Sequence, residues 1–236
     1  MNSKLEPFRE QLDTSHWFSA LPPALRVHLL APAELVRMKS GQVLFRRGDS
    51  FCGLYAVIGG ALRVGVADAD GRETLLTSVE PVTWFGEIAL FDGLPRTHDA
   101  IASGNSLLLR VPVAALHRLL EAEPRYWRHL ALLLTQKLRM CFINVESLSL
   151  LPAAQRLAGR LLMIAEGYGG ISVGQSKIKL SQERLALMLS LSRQTTNRLL
   201  KLLETQGIVH LRFGEIEILD MEKLRSAAVA GNSRGA

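Results

Sequence analysis

The chain has 236 residues, 48% of them hydrophobic and 21% charged, the composition of a soluble globular protein able to bury a sizeable core in one or two domains. Its two cysteines, Cys52 and Cys141, exclude a disulfide framework, a cysteine-rich metal site and a four-cysteine iron–sulfur cluster. The net charge of +6 is unevenly placed: residues 152–225 hold 11 Lys and Arg against 7 Asp and Glu, residues 1–151 hold 16 against 15, and the basic C-terminal part fits a polyanionic partner.

Met1 to Asp13 is mixed and charged, without the profile of a secretion signal, and the apolar run Leu130–Leu134 is far too short to span a bilayer. The expected location is therefore cytoplasmic, with no membrane partner. Residues 1–30 predict amphipathic helix, with Trp17, Phe18, Leu21, Leu25, Leu29 and Leu30 on the apolar side. Pro22-Pro23 breaks it and begins a second short helix. From Glu34 to Pro112 the pattern changes to short apolar runs: Leu35-Val36, Val43–Phe45, Leu54–Ile58, Leu62–Val66, Leu75-Leu76, Ile101 and Leu107–Val111. Turn residues separate them, and Asp70-Gly71 is a hairpin signal, so this region predicts a small antiparallel sandwich or barrel.

Inside it, Trp84 to Ala100 reads WFGEIALFDGLPRTHDA. Gly86 leaves backbone amides approachable, Glu87 can accept from two neighbouring hydroxyls, and Arg96 and Thr97 offer the guanidinium and hydroxyl that hold a phosphate. Taken alone, the same residues also read as a helix cap after a strand with a surface arginine beside it. His98 and Cys52 are single nominees for a haem ligand and read better as core or surface residues. Glu87, His98 and Asp99 as an acid–base cluster have no nucleophile elbow or paired metal motif beside them, so no catalytic residue is assigned.

Val113 to Leu120 predicts a short helix and Pro124 to Leu151 a long one. In the long helix Trp127, Ala131, Leu134, Leu138, Cys141, Val145 and Leu148 repeat at spacings of four and three, a heptad seam for a two-fold coiled coil. Pro152 marks a domain boundary, and Gln155 to Ala165 is again amphipathic. Gly169 to Ser176 has the glycine spacing of a phosphate-binding loop but Gln175 in place of the lysine, and reads as a connection.

Lys177–Leu180 reads as a short strand, followed by a helix, a tight turn at Ser190-Leu191 and a second helix. Ser181 and Ser192 are the N-caps, Glu183 suits the first turn, and Gly207 stops the second helix. Leu185, Ala186 and Leu189 should face inward from the first helix, and Leu199, Leu202 and Leu203 from the second. Arg193, Gln194, Asn197, Arg198 and Lys201 fall on the other side of the second helix, with no carboxylate before Glu204. A helix offering Arg, Gln and Asn from its N-terminal half can reach base edges in a major groove. Ile208–Leu211 and Glu215–Leu219 around Phe213-Gly214 predict a two-stranded wing, and Met221–Ser226 a terminal helix.

Taken together, FGEIAL…PRT, the long helix and LSRQTTNRLLKLLE, in that order, resemble the Crp/Fnr (catabolite-activator and fumarate-nitrate-regulator) family of bacterial transcription factors over about Phe18 to Leu224. The resemblance implies an α+β chain: an N-terminal double-stranded β-helix roll with its helices over 1–123, a dimerisation helix over 124–151, a winged helix-turn-helix over 152–226 and a disordered tail over 227–236. It implies that Glu87 meets a ribose hydroxyl of cAMP or a related cyclic nucleotide, that Arg96 and Thr97 hold its phosphate, and that backbone near Gly86 and Ile88 helps. Cys141 and Phe142 stand where cAMP-responsive relatives carry two hydroxyl residues, so Phe142 either stacks on a base or fills the pocket. Arg193, Gln194 and Arg198 match the base-reading positions, with Gln194 in place of a glutamate. Asn197, Lys201, Ser181 and Ser192 join them at the DNA, and Leu134, Leu138, Cys141, Val145 and Leu148 form the dimer seam. The implied partners are double-stranded DNA with a pseudo-palindromic operator, a second copy of the chain, and RNA polymerase. The alternatives are a regulator with a vestigial cassette that needs no effector, and a cyclic-nucleotide-binding module without a DNA role.

Overall fold

The computed structural model describes residues 3–67, 73–167, 176–178 and 180–229. The Asp70-Gly71 turn, the glycines of the 169–175 connection and residues 230–236 of the predicted tail lie outside the described residues. The chain forms two compact units, one running to Leu138 and one beginning at Arg139.

The first unit opens with α1 (Arg9–Asp13), α2 (His16–Ser19) and α3 (Pro23–Leu30), short helices where the sequence pattern predicts a longer stretch before the prolines. Pro23 opens α3, where its missing N–H costs nothing. Among the described residues eight strands follow: β1 (Glu34–Met38), β2 (Val43–Phe45), β3 (Gly53–Gly59), β4 (Leu62–Ala67), β5 (Glu73–Val79), β6 (Trp84–Phe85), β7 (Asp99–Ala102) and β8 (Ser106–Pro112). They make two antiparallel four-stranded sheets, ordered β1-β8-β3-β6 and β2-β7-β4-β5.

Strand β3 shows why the region reads as apolar runs rather than clean alternation. Successive side chains point to opposite faces. Leu54, Ala56 and Ile58 join the core beneath the N-terminal helices, with Trp17, Phe18, Leu25 and Trp84. Tyr55 and Val57 join the core between the two sheets, with Phe45, Phe85, Ala100 and Leu108. Both faces are buried, so both must be apolar.

Between β6 and β7 lies α4 (Ile88–Asp92). After β8 come α5 (Val113–Ala122) and α6 (Trp127–Leu150). On α6, Leu130 and Leu133 turn into the roll's core, and Trp17 donates its indole N–H to the carbonyl of His129 at 2.8 Å. The seam positions behave differently: Leu138, Val145 and Leu148 are 48%, 60% and 44% exposed, and Cys141 is also exposed. Leu134 is half-buried.

The second unit contains α7 (Ala153–Ala165), β9 (Lys177–Ile178), α8 (Gln182–Leu189), α9 (Arg193–Thr205), β10 (Val209–Arg212), β11 (Glu215–Ile218) and α10 (Met221–Val229). Leu157, Ala158, Leu161 and Ile164 give α7 its buried face, and α10 packs on it through Leu224. Arg225 of α10 pairs with Glu166 at 2.9 Å. The predicted two-stranded wing is a three-stranded sheet, β10-β11-β9, because Lys177 and Ile178 pair with Glu217 and Ile216. The inward face of α9 also differs from expectation. Thr196, Leu200 and Leu203 are buried, while Leu202 is half exposed and Leu199 lies at the margin. The true stripe, spaced four and three, lies closer to the helix start than the leucines alone suggest.

Candidate effector pocket and nucleic-acid interface

The cassette lies where β6 turns into α4. Gly86 has φ +93°, a conformation side-chain-bearing residues rarely adopt, and a Cβ there would stand 2.9 Å from Nη1 of Arg96. Glu87 follows as the residue before α4. Its carboxylate is 2% exposed and makes no helix cap. Instead Oε2 accepts from Nζ of Lys137 on α6 at 2.7 Å. A carboxylate so buried needs such a partner.

Arg96 is also buried, at 5% exposure. Nη1 donates to the carbonyl of Gly86 and Nη2 to that of Gly53, each at 2.8 Å. The guanidinium stands 4.2 Å over the ring of Phe45, with Phe51 and Tyr55 at 5.0 and 5.8 Å, so aromatic faces surround the charge. Nε has no hydrogen-bond partner among the described residues. Nη2 also lies 3.4 Å from Sγ of Cys52, whose sulfur is 3.1 Å from the hydroxyl of Tyr55. Burial pushes the Cys52 thiol up, but the hydrogen bonds from Tyr55 and Arg96 and the positive fields of Arg96 and Arg110 outweigh it and hold the thiol below its ordinary range. Burial, then Cys52, pushes the Tyr55 phenol up.

The remaining cassette residues face outward. Thr97 is exposed, with its hydroxyl 2.9 Å from Nδ1 of His98, and Ile88 is 41% exposed. Burial, then the charge of Arg47, lowers the pKa of His98. Asp99 accepts from the backbone N–H of Arg47 at 2.7 Å. Glu87, His98 and Asp99 thus have three separate partners and do not form an acid–base cluster. Gly86, Glu87 and Arg96 are brought together, while Phe142, on the second-unit part of α6, is 64% exposed. Lys137, Phe45, Phe51 and Tyr55 escaped the sequence reading. Lys137 is separated from Glu87 by fifty residues, and only the packing of α6 against the cassette pairs them.

The helix-turn-helix follows its predicted local chemistry. Ser181 accepts from the N–H of Arg184 at 3.2 Å and Ser192 from that of Thr195 at 3.1 Å, so both serines serve as caps. Between the helices Ser190 is left-handed, at φ +52°. The N–H of Leu191 donates to the carbonyl of Ala186 and that of Ser190 to Leu187, which closes the end of α8. Arg193, Gln194, Asn197, Arg198 and Lys201 together line one open face of α9. Asn197 also donates to Oε1 of Gln182 at 2.9 Å, which ties this face to the first helix of the pair. Glu204, the first carboxylate of α9, accepts from the N–H of Leu211 at 2.9 Å.

Comparison with known proteins agrees with both halves. The cyclic nucleotide-binding domain family matches residues 35–123, and the Crp-like helix-turn-helix domain family matches residues 155–227. The chain belongs to the Crp/Fnr family. It is a transcriptional regulator with a DNA-binding helix-turn-helix, not an enzyme. It is 29% identical over 213 residues to the CRP-like cAMP-activated global transcriptional regulator of Mycobacterium tuberculosis, covering 89% of this chain and 95% of that one. The cyclic AMP receptor protein of Thermus thermophilus is also 29% identical, over 85% of this chain and 95% of the relative. A Crp/Fnr-family transcriptional regulator of the same organism aligns with TM-score 0.65 and 27% identity, over 86% of this chain and all of that one. FixK2 from Bradyrhizobium japonicum shares the fold at TM-score 0.73 and 21% identity, over 83% and 96% of the two chains. Among the described residues no helix is long and apolar enough to cross a membrane.

Proposed function

We propose that this regulator works as a homodimer that reads a pseudo-palindromic operator with α9 and is controlled by a small anionic effector, cAMP or another nucleotide, in the roll. The observation that carries the DNA reading is the single open face of α9 shared by Arg193, Gln194, Asn197, Arg198 and Lys201. Arg193 and Arg198 suit bidentate contact with guanine, and Gln194 suits adenine, so the half-site differs from one read by a glutamate at that position. The dimer reading rests on the exposed Leu138, Cys141, Val145 and Leu148, which repeat on one stripe of α6. Two copies would present their α9 helices about 34 Å apart, one turn of DNA. RNA polymerase is the further partner that family membership suggests.

The effector reading rests on Glu87 and Arg96 flanking Gly86, with Ile88 and Thr97 beside them and Phe142 further along α6. A specific observation favours a second reading, a regulator whose cassette needs no effector. Both terminal nitrogens of Arg96 already donate to backbone carbonyls, with three rings around the guanidinium, and Oε2 of Glu87 already accepts from Lys137. Calorimetric titration with cAMP and cGMP separates the two: saturable heat that Arg96→Ala abolishes supports the effector, and no heat from either nucleotide supports the second reading. For the DNA reading, Arg198→Ala should weaken binding to a selected operator by about 1–3 kcal/mol and relax its sequence preference. An unchanged preference refutes that assignment.

A further inference from the structure

Phe213 occupies the tip of the hairpin between β10 and β11, and at 108% exposure it is fully open to water. Gly214 takes the left-handed position of the turn, at φ +70°, so the phenylalanine projects outward from the tip. Its place is nevertheless fixed. Strands β10 and β11 pair residue for residue, with Arg212 opposite Glu215, and β11 is anchored in turn by β9. Glu204 of α9 accepts from the N–H of Leu211 at 2.9 Å and lies 3.6 Å from Nδ1 of His210. The tip is therefore held in register with the helix that carries the five hydrogen-bonding residues.

The charge around the tip decides what kind of contact it suits. Arg212 is held by Glu217 at 3.2 Å, Lys177 meets the same carboxylate at 3.6 Å, and Glu215 stands across from Arg212. Acids and bases nearly balance, so the wing is not built as a clamp on phosphates. What it offers DNA is an apolar aromatic face. Such side chains bind by wedging against sugars or between unstacking bases in the minor groove. We propose that Phe213 is an aromatic wedge that enters the minor groove flanking the bases read by α9, and so adds affinity without adding salt dependence. This inference rests on the DNA reading above.

The test uses the full-length protein and a duplex recovered by selection from random sequence. Wild type, Phe213→Ala, Phe213→Trp, Lys201→Ala and Arg198→Ala are titrated over a range of salt, with 2-aminopurine at the flanking steps as a fluorescent reporter of unstacking. Phe213→Ala should bind about fivefold to a hundredfold more weakly with the salt slope unchanged, and the flanking fluorescence rise should vanish. Phe213→Trp should retain both, whereas Lys201→Ala should lower the slope by about one. If Arg198→Ala loses specific binding while Phe213→Ala matches wild type in affinity and fluorescence, the wedge is overturned and the DNA reading stands. If wild type recovers no duplex at all, the DNA reading falls and the wedge falls with it. Because Phe213 is wholly exposed, its replacement leaves the fold intact, which thermal unfolding of the variant checks.

Discussion

The ion pair between Lys137 and Glu87 makes a quantitative demand on stability. Its atoms are 2.7 Å apart, with the carboxylate 2% and the lysine 25% exposed. Replacing Lys137 by Met keeps the aliphatic stem but leaves a buried carboxylate without its partner, a change that costs about 3–5 kcal/mol in general. Solvent reaches the lysine side of the pair, so the expected loss lies near the lower end, about 3 kcal/mol. Glu87→Gln should cost less, because the freed ammonium can turn toward water while the amide keeps hydrogen-bonding capacity. The double variant should therefore be more stable than Lys137→Met alone, with a coupling energy of about 1–3 kcal/mol. Trp17, Trp84 and Trp127, the chain's three tryptophans, all belong to the unit ending at Leu138, and two of them are fully buried. Their fluorescence in urea reports that unit alone, which avoids assuming that both units unfold together. A Lys137→Met variant within about 0.5 kcal/mol of wild type, the additivity error of such cycles, would show that the pair contributes nothing.

Three further outcomes follow from the geometry. If α6 pairs in parallel and in register, mild oxidation should link Cys141 to its copy and give a dimer band that Cys141→Ser removes, while Leu138→Asp should leave a monomer by sedimentation. Thr196 is fully buried and its hydroxyl has no partner among the described residues, so Thr196→Val should hold or raise stability by up to about 1 kcal/mol in thermal unfolding; a clear loss would mean the hydroxyl is satisfied. In a Cys141→Ser background, alkylation of Cys52 should show a midpoint below that of an ordinary thiol, because its thiolate forms at lower pH, and Arg96→Ala should move it upward; an unmoved midpoint would discard the Arg96 contact.

The sequence made the helix-turn-helix legible because its signals are local. Two serines, a left-handed turn and a run of polar residues at helical spacing act within a few residues of one another, and the caps form where the pattern puts them. The leucine face of α9 was harder to read. Leu199, Leu200, Leu202 and Leu203 cannot all face inward, and the choice among them is made by packing, which also buries Thr196. The cassette was legible as a motif but not as a state. Nothing in the letters places Arg96 among Phe45, Phe51 and Tyr55, because those rings come from β2, the loop before β3 and β3 itself, 41 to 51 positions upstream. The short strand at Lys177 was legible but its place in the wing was not, for the same reason: Lys177-Ile178 is too short to signal its partner.

The placement of Lys137 gives the effector reading a physical form. Glu87 has one carboxylate, and in this structure Oε2 is committed to Lys137. A ligand hydroxyl that takes Glu87 must share it with the lysine or displace it, and either change acts on α6 one residue before Leu138, the first exposed residue of the seam. Linkage then runs both ways. If binding in the cassette favours one arrangement of the seam, pairing of the seam must alter effector affinity by the same factor, and coupling of this kind is typically about 1–3 kcal/mol. Lys137→Met cuts that connection while leaving Arg96 in place. A protein coupled in this way should lose the effect of nucleotide on operator affinity in the variant while still binding the nucleotide. If nucleotide raises operator affinity equally in wild type and Lys137→Met, the signal passes by another route and the ion pair serves stability alone.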